Sequence, residues 1–288
     1  MPTNKIALRT VEEYMGGYTP GYKSIYPLFL GKSQQYKQEV GKTDFRRLEA
    51  VSDIRLKHIT PKDTEIRQIS VMEGKKTFKR YFLANQYVHS DLQDRQGIED
   101  VVSQVLDEHH IQADEMLLKG DGTTNNNVLN NGLFYSGDAN YTTEASTEIQ
   151  NSDYLADLHT KVMTTAQKAD EVAGKKLLIF YGTGILPLFN GVYSTAVRPF
   201  KSVLKEILGQ NWDFMQLPSQ PTPSGTNGWI AVNLDQVKLH YTVLPQLLAQ
   251  GHNEEKLYYW HNFIMGSMML EVLAKNGVIH QPATIEAP

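Results

Sequence analysis

Cysteine is absent from all 288 residues of this chain. That absence excludes a disulfide framework and any zinc site with thiolate ligands, and it fits maturation in a reducing compartment. A charge imbalance is also missing: 28 Lys and Arg against 32 Asp and Glu leave a net charge of −4, which gives no signature of nucleic-acid binding. No window approaches about eighteen uninterrupted apolar residues, and the first residues lack a secretory signal, so we expect a soluble protein without a membrane anchor.

Sequence motifs for phosphate or calcium binding are incomplete. Two tripeptides, GKS at 31–33 and GKT at 41–43, resemble the end of a phosphate-binding loop, but Tyr26 and Tyr36 stand where that motif requires glycine. The Asp-Gly-Asn-rich stretch 120–132 lacks the glutamate that closes a calcium loop. We therefore predict neither of these ligand sites.

Residues with catalytic or metal-binding chemistry are scattered. His110 and Asp114 have the spacing that could share a metal on a helix, but the sequence places no third ligand beside them. His109 falls near an apolar stripe, and we expect a half-buried residue with its hydrogen bonds satisfied. There is no G-x-S-x-G nucleophile elbow. We predict no catalytic, cofactor-binding or metal-binding residue, and no enzyme.

A long helix is predicted over residues 90–118. Ser90 and Gln93 form a capping-box pattern at its start, and Gly120 and Gly122 supply the positive φ that ends a helix. Nearly thirty helical residues would span on the order of 40 Å. One apolar stripe of helical period runs along this segment, at Leu92, Ile98, Val101, Val102, Val105, Leu106, Ala113, Met116 and Leu117.

The first 88 residues have few helical signals. Residues 1–47 are aromatic-rich without a core face, and we interpret them as an arm that lies on something else, with a disordered tail as the alternative. Residues 48–88 are expected to be extended, with strands over 66–72 and 77–83 and a turn at 73–75. This hairpin is basic, which suits either a solvated edge or a projecting loop that meets an acidic surface on a neighbour. Its cations are Lys75, Lys76, Lys79 and Arg80.

The remaining chain alternates helical and extended patterns. The periodicity predicts helices over 152–173 and 194–208, a strand at 176–181 buried on both faces, and a long loop over 209–228. Further strands are expected over 229–234, at 237–243 with His240 on the exposed face, and after a turn at 276–277. Residues 257–273 fit either a helix or a strand by pattern, and their aromatic side chains favour a strand.

This order of parts resembles the major capsid proteins of tailed bacteriophages, whose Hong Kong ninety-seven type fold is shared with encapsulins. The features that carry the resemblance are the long helix ending in KGDG at 119–122, the return NGLF at 131–134, and the closing segment from 277 to 283. The resemblance implies an α+β capsid fold with an N-terminal arm, an extended hairpin loop, a spine helix, and peripheral and axial domains. The implied divisions are an arm at 1–47, the hairpin region at 48–88, a peripheral domain at 89–180, an axial domain at 181–245, and return strands at 246–288.

The resemblance also implies a function. The chain would assemble with itself into hexamers and pentamers of an icosahedral head shell, in the host cytoplasm, and enclose double-stranded DNA without reading its sequence. Portal, scaffold or decoration proteins would be its other partners, and no cofactor is expected. An encapsulin-type compartment and, less well supported, a small α/β enzyme are the alternatives. Deleting residues 1–40 should leave a folded core that cannot close a shell. The candidate contacts between subunits are Tyr14, Tyr22, Tyr26, Lys75, Lys76, Lys79 and Arg80.

Overall fold

A computed structural model describes residues 22–35, 43–52, 70–78, 83–90, 95–120, 132–134, 140–149, 154–170, 176–191, 199–209, 211–217 and 228–285. Within these ranges the α-helices are α1 (Arg95–Lys119), α2 (Tyr154–Asp170), α3 (Leu186–Asn190) and α4 (Phe200–Leu208). The strands are β1 (Gln34–Gln35), β2 (Thr43–Ser52), β3 (Ser70–Phe78), β4 (Leu83–Ser90), β5 (Tyr141–Thr143), β6 (Thr147–Ile149), β7 (Leu177–Tyr181), β8 (Trp212–Gln216), β9 (Gly228–Asn233), β10 (Val237–Tyr241), β11 (Gln246–Asn253), β12 (Tyr258–Met265), β13 (Met268–Val272) and β14 (Val278–Ile285). Short 3₁₀ helices cover Tyr26–Lys32, Thr183–Ile185 and Leu234–Gln236. None of the helices in these ranges is long and apolar enough to span a bilayer.

A six-stranded mixed sheet separates two hydrophobic cores. Its order is β5-β14-β9-β7-β8, and β6 also pairs with β14. Strand β7 is buried along its whole length, as the uninterrupted apolar run predicted. Its side chains alternate in direction, so that Leu178 and Phe180 enter one core while Leu177, Ile179 and Tyr181 enter the other. The sheet is therefore the middle layer of the subunit.

Helices α2 and α4 cover one face of this sheet. Buried residues recur at three- and four-residue intervals along α2, at Leu158, Val162, Ala166 and Ala169, which is the apolar stripe that the sequence predicts. Helix α4 contributes Phe200 to the same core. Helical periodicity in the sequence thus corresponds here to packing against the sheet.

Helix α1 links two parts of the molecule. Its 25 residues extend about 36 Å along the axis. Near its start, Val102 and Leu106 pack with Phe263 on the three-stranded sheet β11-β12-β4. Near its end, Leu117 and Leu118 enter the core on the other face of the six-stranded sheet. The structure therefore contains the long helix that the sequence predicts.

The start of this helix differs from the prediction of residue 90. Ser90 is the last residue of β4 and pairs with Tyr258 of β12. The eight-residue pairing between these strands satisfies its backbone, and this long-range pairing overrides the local capping signal. The helix begins at Arg95, and its end at Lys119 is one residue beyond the predicted position.

The end of α1 confirms the predicted glycine termination, and we call this helix end together with the return segment 132–134 the elbow. Gly120 has φ of 59°, which suits glycine, and its N–H donates to the Met116 carbonyl. The return segment then passes under the helix end. The amides of Leu133 and Phe134 donate to the carbonyls of Leu117 and Leu118, at 2.9 and 3.0 Å. These bonds satisfy carbonyls that a helix end leaves without partners.

Strands β2 and β3 form a two-stranded ribbon, and its register differs from the predicted hairpin. Gly74, expected in a turn at 73–75, lies inside β3 and pairs with Arg47 of β2. The ribbon also includes residues 43–47, which the sequence assigned to the arm. Pairing with a strand so far back in the chain cannot be inferred from a local turn signal.

Three smaller differences concern the second half of the chain. Residues 212–216, expected in a loop, form β8, which pairs in parallel with β7. Helix α4 begins at Phe200 after Pro199, six residues later than predicted. His240 is buried rather than exposed, and its imidazole pairs with the buried Glu271 carboxylate of the neighbouring strand β13. The strands over 257–273 and the turn at 276–277 are confirmed.

Candidate assembly surfaces

Residues 22–35, here called the N-terminal strap, pack on their own subunit. Ile25, Tyr26 and Phe29 are 2%, 6% and 4% exposed and belong to the core beside α1. The expectation that residues 1–47 have no core face is therefore wrong for this part. Tyr26 leaves almost no surface for a neighbouring subunit, and Tyr22 is half-buried. Burial of three large side chains of this kind favours the docked strap by about 5 kcal/mol or more.

A buried carboxylate on α1 holds the first residues of the strap. Asp114 is fully buried, and its oxygens accept from Tyr22 Oη at 2.8 Å and Ser24 Oγ at 2.7 Å. The amides of Ile25 and Tyr26 donate to the same carboxylate, each at 3.0 Å. We call this group of contacts the Asp114 clasp. All of these donors are electrically neutral groups.

Burial dominates the ionisation of the clasp. It raises the pKa of the Asp114 carboxyl, although the hydrogen bonds from Ser24, Ile25, Tyr22 and Tyr26 oppose that shift. Burial and the neighbouring Asp114 together raise the pKa of Tyr26 to about 12, so this phenol stays neutral. The pKa of the Tyr22 phenol is raised for the same reasons. The clasp therefore keeps its hydroxyl donors protonated throughout the physiological range.

The far end of the strap joins a different sheet. Gln34 and Gln35 form β1, which pairs in parallel with His240 and Tyr241 of β10. Nearby, the Lys32 ammonium donates to the carbonyl of Asp235. The strap thus connects the end of the spine helix to the sheet β1-β10-β13.

The register of the ribbon places one pair of cations directly opposite each other. Arg46 lies opposite Lys75, and Phe45 lies opposite Lys76. Like charges at directly paired positions destabilise an antiparallel pair. Among the strands that the structure describes, β2 and β3 pair only with each other. Lys79, Arg80 and Tyr14 of the predicted contacts fall outside the described residues.

Three exposed apolar side chains lie on or beside the sheet β11-β12-β4. Val88, Leu248 and Leu257 are 46%, 59% and 60% exposed. Between them, the half-buried Trp260 lies over Gly251, where a Cβ atom would come within 2.4 Å of the indole ring. Val88 lies in β4, Leu248 in β11 and Leu257 in the turn before β12.

Two buried histidines of the described ranges contact polar side chains of neighbouring strands. His240 Nε2 and Glu271 Oε2 are 2.9 Å apart and almost fully buried, and burial lowers the pKa of the imidazole. His109 is fully buried and accepts at Nε2 from the Asn85 amide at 2.9 Å. No group of three or more potential metal-ligating side chains occurs within these ranges. His110 stacks on Tyr26, with 5.5 Å between ring centroids.

Comparison with solved structures identifies the architecture. The chain superposes on the capsid of the myovirus phage XM1 with a TM-score of 0.60 and 10% sequence identity, over 93% of this chain and 95% of that chain. It superposes on the virus-like particle from Pyrococcus furiosus with a TM-score of 0.55 and 9% identity, over 98% and 100% of the two chains. A chain from Mycobacterium phage Adephagia matches with a TM-score of 0.53 and 13% identity, over 96% and 98%.

The chain has the capsid shell fold. This α+β fold is the one found in tailed-phage capsids and in a virus-like particle, as the order of sequence elements predicted. No protein-family model matches the sequence, and no curated protein does. The shell fold is therefore recognised here by three-dimensional similarity and not by sequence identity.

Sequence reasoning missed the residue that organises the strap. Asp114 was considered only as half of a metal pair with His110, whereas the structure surrounds it with donors from residues 22–26. An acidic residue on the apolar stripe of a helix was the available signal. An Asp at such a position must find partners from elsewhere in the chain.

Proposed function

We propose that this chain is the major capsid protein of a tailed bacteriophage, a tile that assembles with itself into hexamers and pentamers of an icosahedral head shell. The observation that carries the proposal is the superposition of nearly the whole chain on capsid subunits. The match covers 93% of this chain and 95% of that capsid chain. The proposal accordingly assigns a structural, non-enzymatic role.

The ribbon supports assembly on physical grounds. An isolated two-stranded hairpin is marginally stable in water, and paired cations weaken it further. We propose that Lys75 and Lys76 lie against an acidic surface of a neighbouring subunit, with Lys79, Arg80 and the N-terminal Tyr14 contributing to contacts between subunits. Such a partner would cover part of the ribbon and place acidic groups opposite Lys75 and Lys76.

The contents of the shell separate the two candidate functions. A phage head encloses double-stranded DNA, and a net charge of −4 agrees with a shell that surrounds DNA without specific contacts. An encapsulin-type shell would instead hold a cargo protein, and its candidacy comes from the superposition on the virus-like particle. Nuclease-resistant DNA in particles from phage-producing cells supports the head, whereas a stoichiometric cargo protein in them would favour the compartment.

Truncation tests the proposed N-terminal arm, and the position of the strap favours a deletion of residues 1–21 over one of residues 1–40. Deletion of residues 1–40 would remove the strap with its three buried side chains, so this deletion is expected to destabilise the core and not only block assembly. Deletion of residues 1–21 leaves the strap in place. We expect the variant lacking residues 1–21 to unfold at the wild-type temperature yet give fewer closed shells. A wild-type yield of shells would contradict a role of these residues in contacts between subunits.

Further partners follow from the proposed role. A phage head needs a portal at one vertex, and scaffold or decoration proteins would act during or after shell assembly in the host cytoplasm. The finished protein would reside in the virion capsid. Mass spectrometry of purified heads identifies these proteins directly.

A further inference from the structure

The 3₁₀ helix of the strap is capped by a residue from another element. Its N-cap, Ile25, makes no side-chain capping bond, and Pro27 in the first turn has no N–H to satisfy. The amides of Ile25 and Tyr26 remain, and both donate to Asp114, which lies 88 or more residues further along the chain. One carboxylate thus provides the whole cap of this helix.

Hydrophobic burial alone would not require this arrangement. Ile25, Tyr26 and Phe29 already bury the strap against the subunit core. A buried carboxylate is costly unless it is fully hydrogen-bonded, and an apolar residue of similar size would avoid that cost. The carboxylate adds direction: only a segment that offers two hydroxyls and two successive amides in the right order satisfies it.

We propose that Asp114 is the docking residue of the N-terminal strap, which selects the register of Tyr22, Ser24, Ile25 and Tyr26 on the spine helix and so fixes where residues 1–21 leave the subunit. The clasp holds the first five residues of the strap, while the side chain of Phe29 and the strand β1 hold the remainder. Opening of the clasp is therefore a local event, separate from unfolding of the core.

Hydrogen exchange on the full-length chain tests this assignment. Exchange is followed by mass spectrometry in a peptide covering residues 22–30 and in a reference peptide covering β7. For Asp114→Ala we expect exchange in the strap peptide to accelerate about tenfold or more, which corresponds to the loss of one hydrogen bond to a charged group. The β7 peptide should keep its wild-type rate.

Two further variants make the test specific. Asp114→Asn keeps one acceptor oxygen, so its strap exchange should lie between wild type and Asp114→Ala. Asp107→Ala is the matched control, because Asp107 is on the same helix and its bond from the Tyr22 amide is longer, at 3.4 Å. We expect this control to give a clearly smaller change than Asp114→Ala.

Two outcomes would overturn the assignment. Unchanged strap exchange in Asp114→Ala would mean that burial alone sets the register. Equal acceleration of exchange in the strap and in β7 would mean that Asp114 stabilises the whole core. If Asp114→Ala does not fold, the double variant Tyr22→Phe with Ser24→Ala takes its place. It removes the two hydroxyl donors from the strap, and the same two outcomes would overturn the assignment.

The consequence for assembly rests on the proposed function. If residues 1–21 reach neighbouring subunits, a clasp that opens should lower the yield of regular shells for Asp114→Ala but not for Asp107→Ala. The exchange measurement needs no shell. A wild type that stays monomeric even with the other head proteins would therefore contradict the capsid role while leaving the docking result intact.

Discussion

Substitution of Gly132 by alanine tests the elbow that follows the spine helix. A Cβ atom at this position would lie 2.5 Å from the Gly120 nitrogen and 2.6 Å from the Leu118 carbonyl oxygen. Both contacts are with backbone, which cannot rotate away as a side chain does. The return segment would have to move off the helix end, and the amide bonds of Leu133 and Phe134 to the helix carbonyls would lengthen or break.

The expected cost can be estimated from these contacts. Two backbone hydrogen bonds contribute roughly 1 kcal/mol each, and partial exposure of the buried Leu133 and Phe134 adds about 1 to 2 kcal/mol. We therefore expect Gly132→Ala to lower the free energy of unfolding by about 3 kcal/mol. Gly31→Ala is the control, since a Cβ atom at Gly31 meets nothing within 4 Å. Urea unfolding followed by circular dichroism measures both, and a Gly132→Ala loss below about 1 kcal/mol would refute the close-packed elbow.

Three other predictions concern charge and pH. Burial lowers the pKa of His280 to about 4, so the neutral imidazole stabilises the fold. This stabilisation is present above pH 6.5 and is lost as the pH falls towards 4, by roughly 3 kcal/mol at most. Urea midpoints across this range should fall less in His280→Gln, and an equal fall would contradict the buried neutral imidazole. Because the pKa of Asp114 is raised, its ionisation costs stability as the pH rises through that pKa, so wild type should gain on Asp114→Asn as the pH is lowered, and a difference independent of pH would argue against a raised pKa. The double variant Lys75→Glu with Lys76→Glu should reduce shell yield without lowering the melting temperature. Lys275→Glu, at an exposed turn, is the control and should leave the shell yield unchanged. Equal yields from the two variants would contradict a contact between the ribbon cations and a neighbouring subunit.

Local patterns predicted the elements that are buried by their own periodicity. The stripe of α2, the apolar run of β7 and the glycine end of α1 each contain the cause of the structure within a few residues. The predicted order of these parts was sufficient to indicate the capsid shell fold. Structural superposition then confirmed the fold where sequence comparison found no relative.

Long-range pairing explains the features that sequence reasoning missed. Ser90 carries a capping signal but pairs with Tyr258, and Gly74 carries a turn signal but pairs with Arg47. Tyr26 resembles an arm residue because the core that buries it is formed by residues far along the chain. In each case the partner lies outside any local window, so only the folded chain reveals which signal prevails.

Electron microscopy of the purified full-length protein tests the central claim most directly. A shell subunit should produce closed particles of uniform diameter with hexameric and pentameric units, or isolated capsomers when a scaffold is required. A preparation that remains monomeric at high concentration and in the presence of the other head proteins would contradict the account.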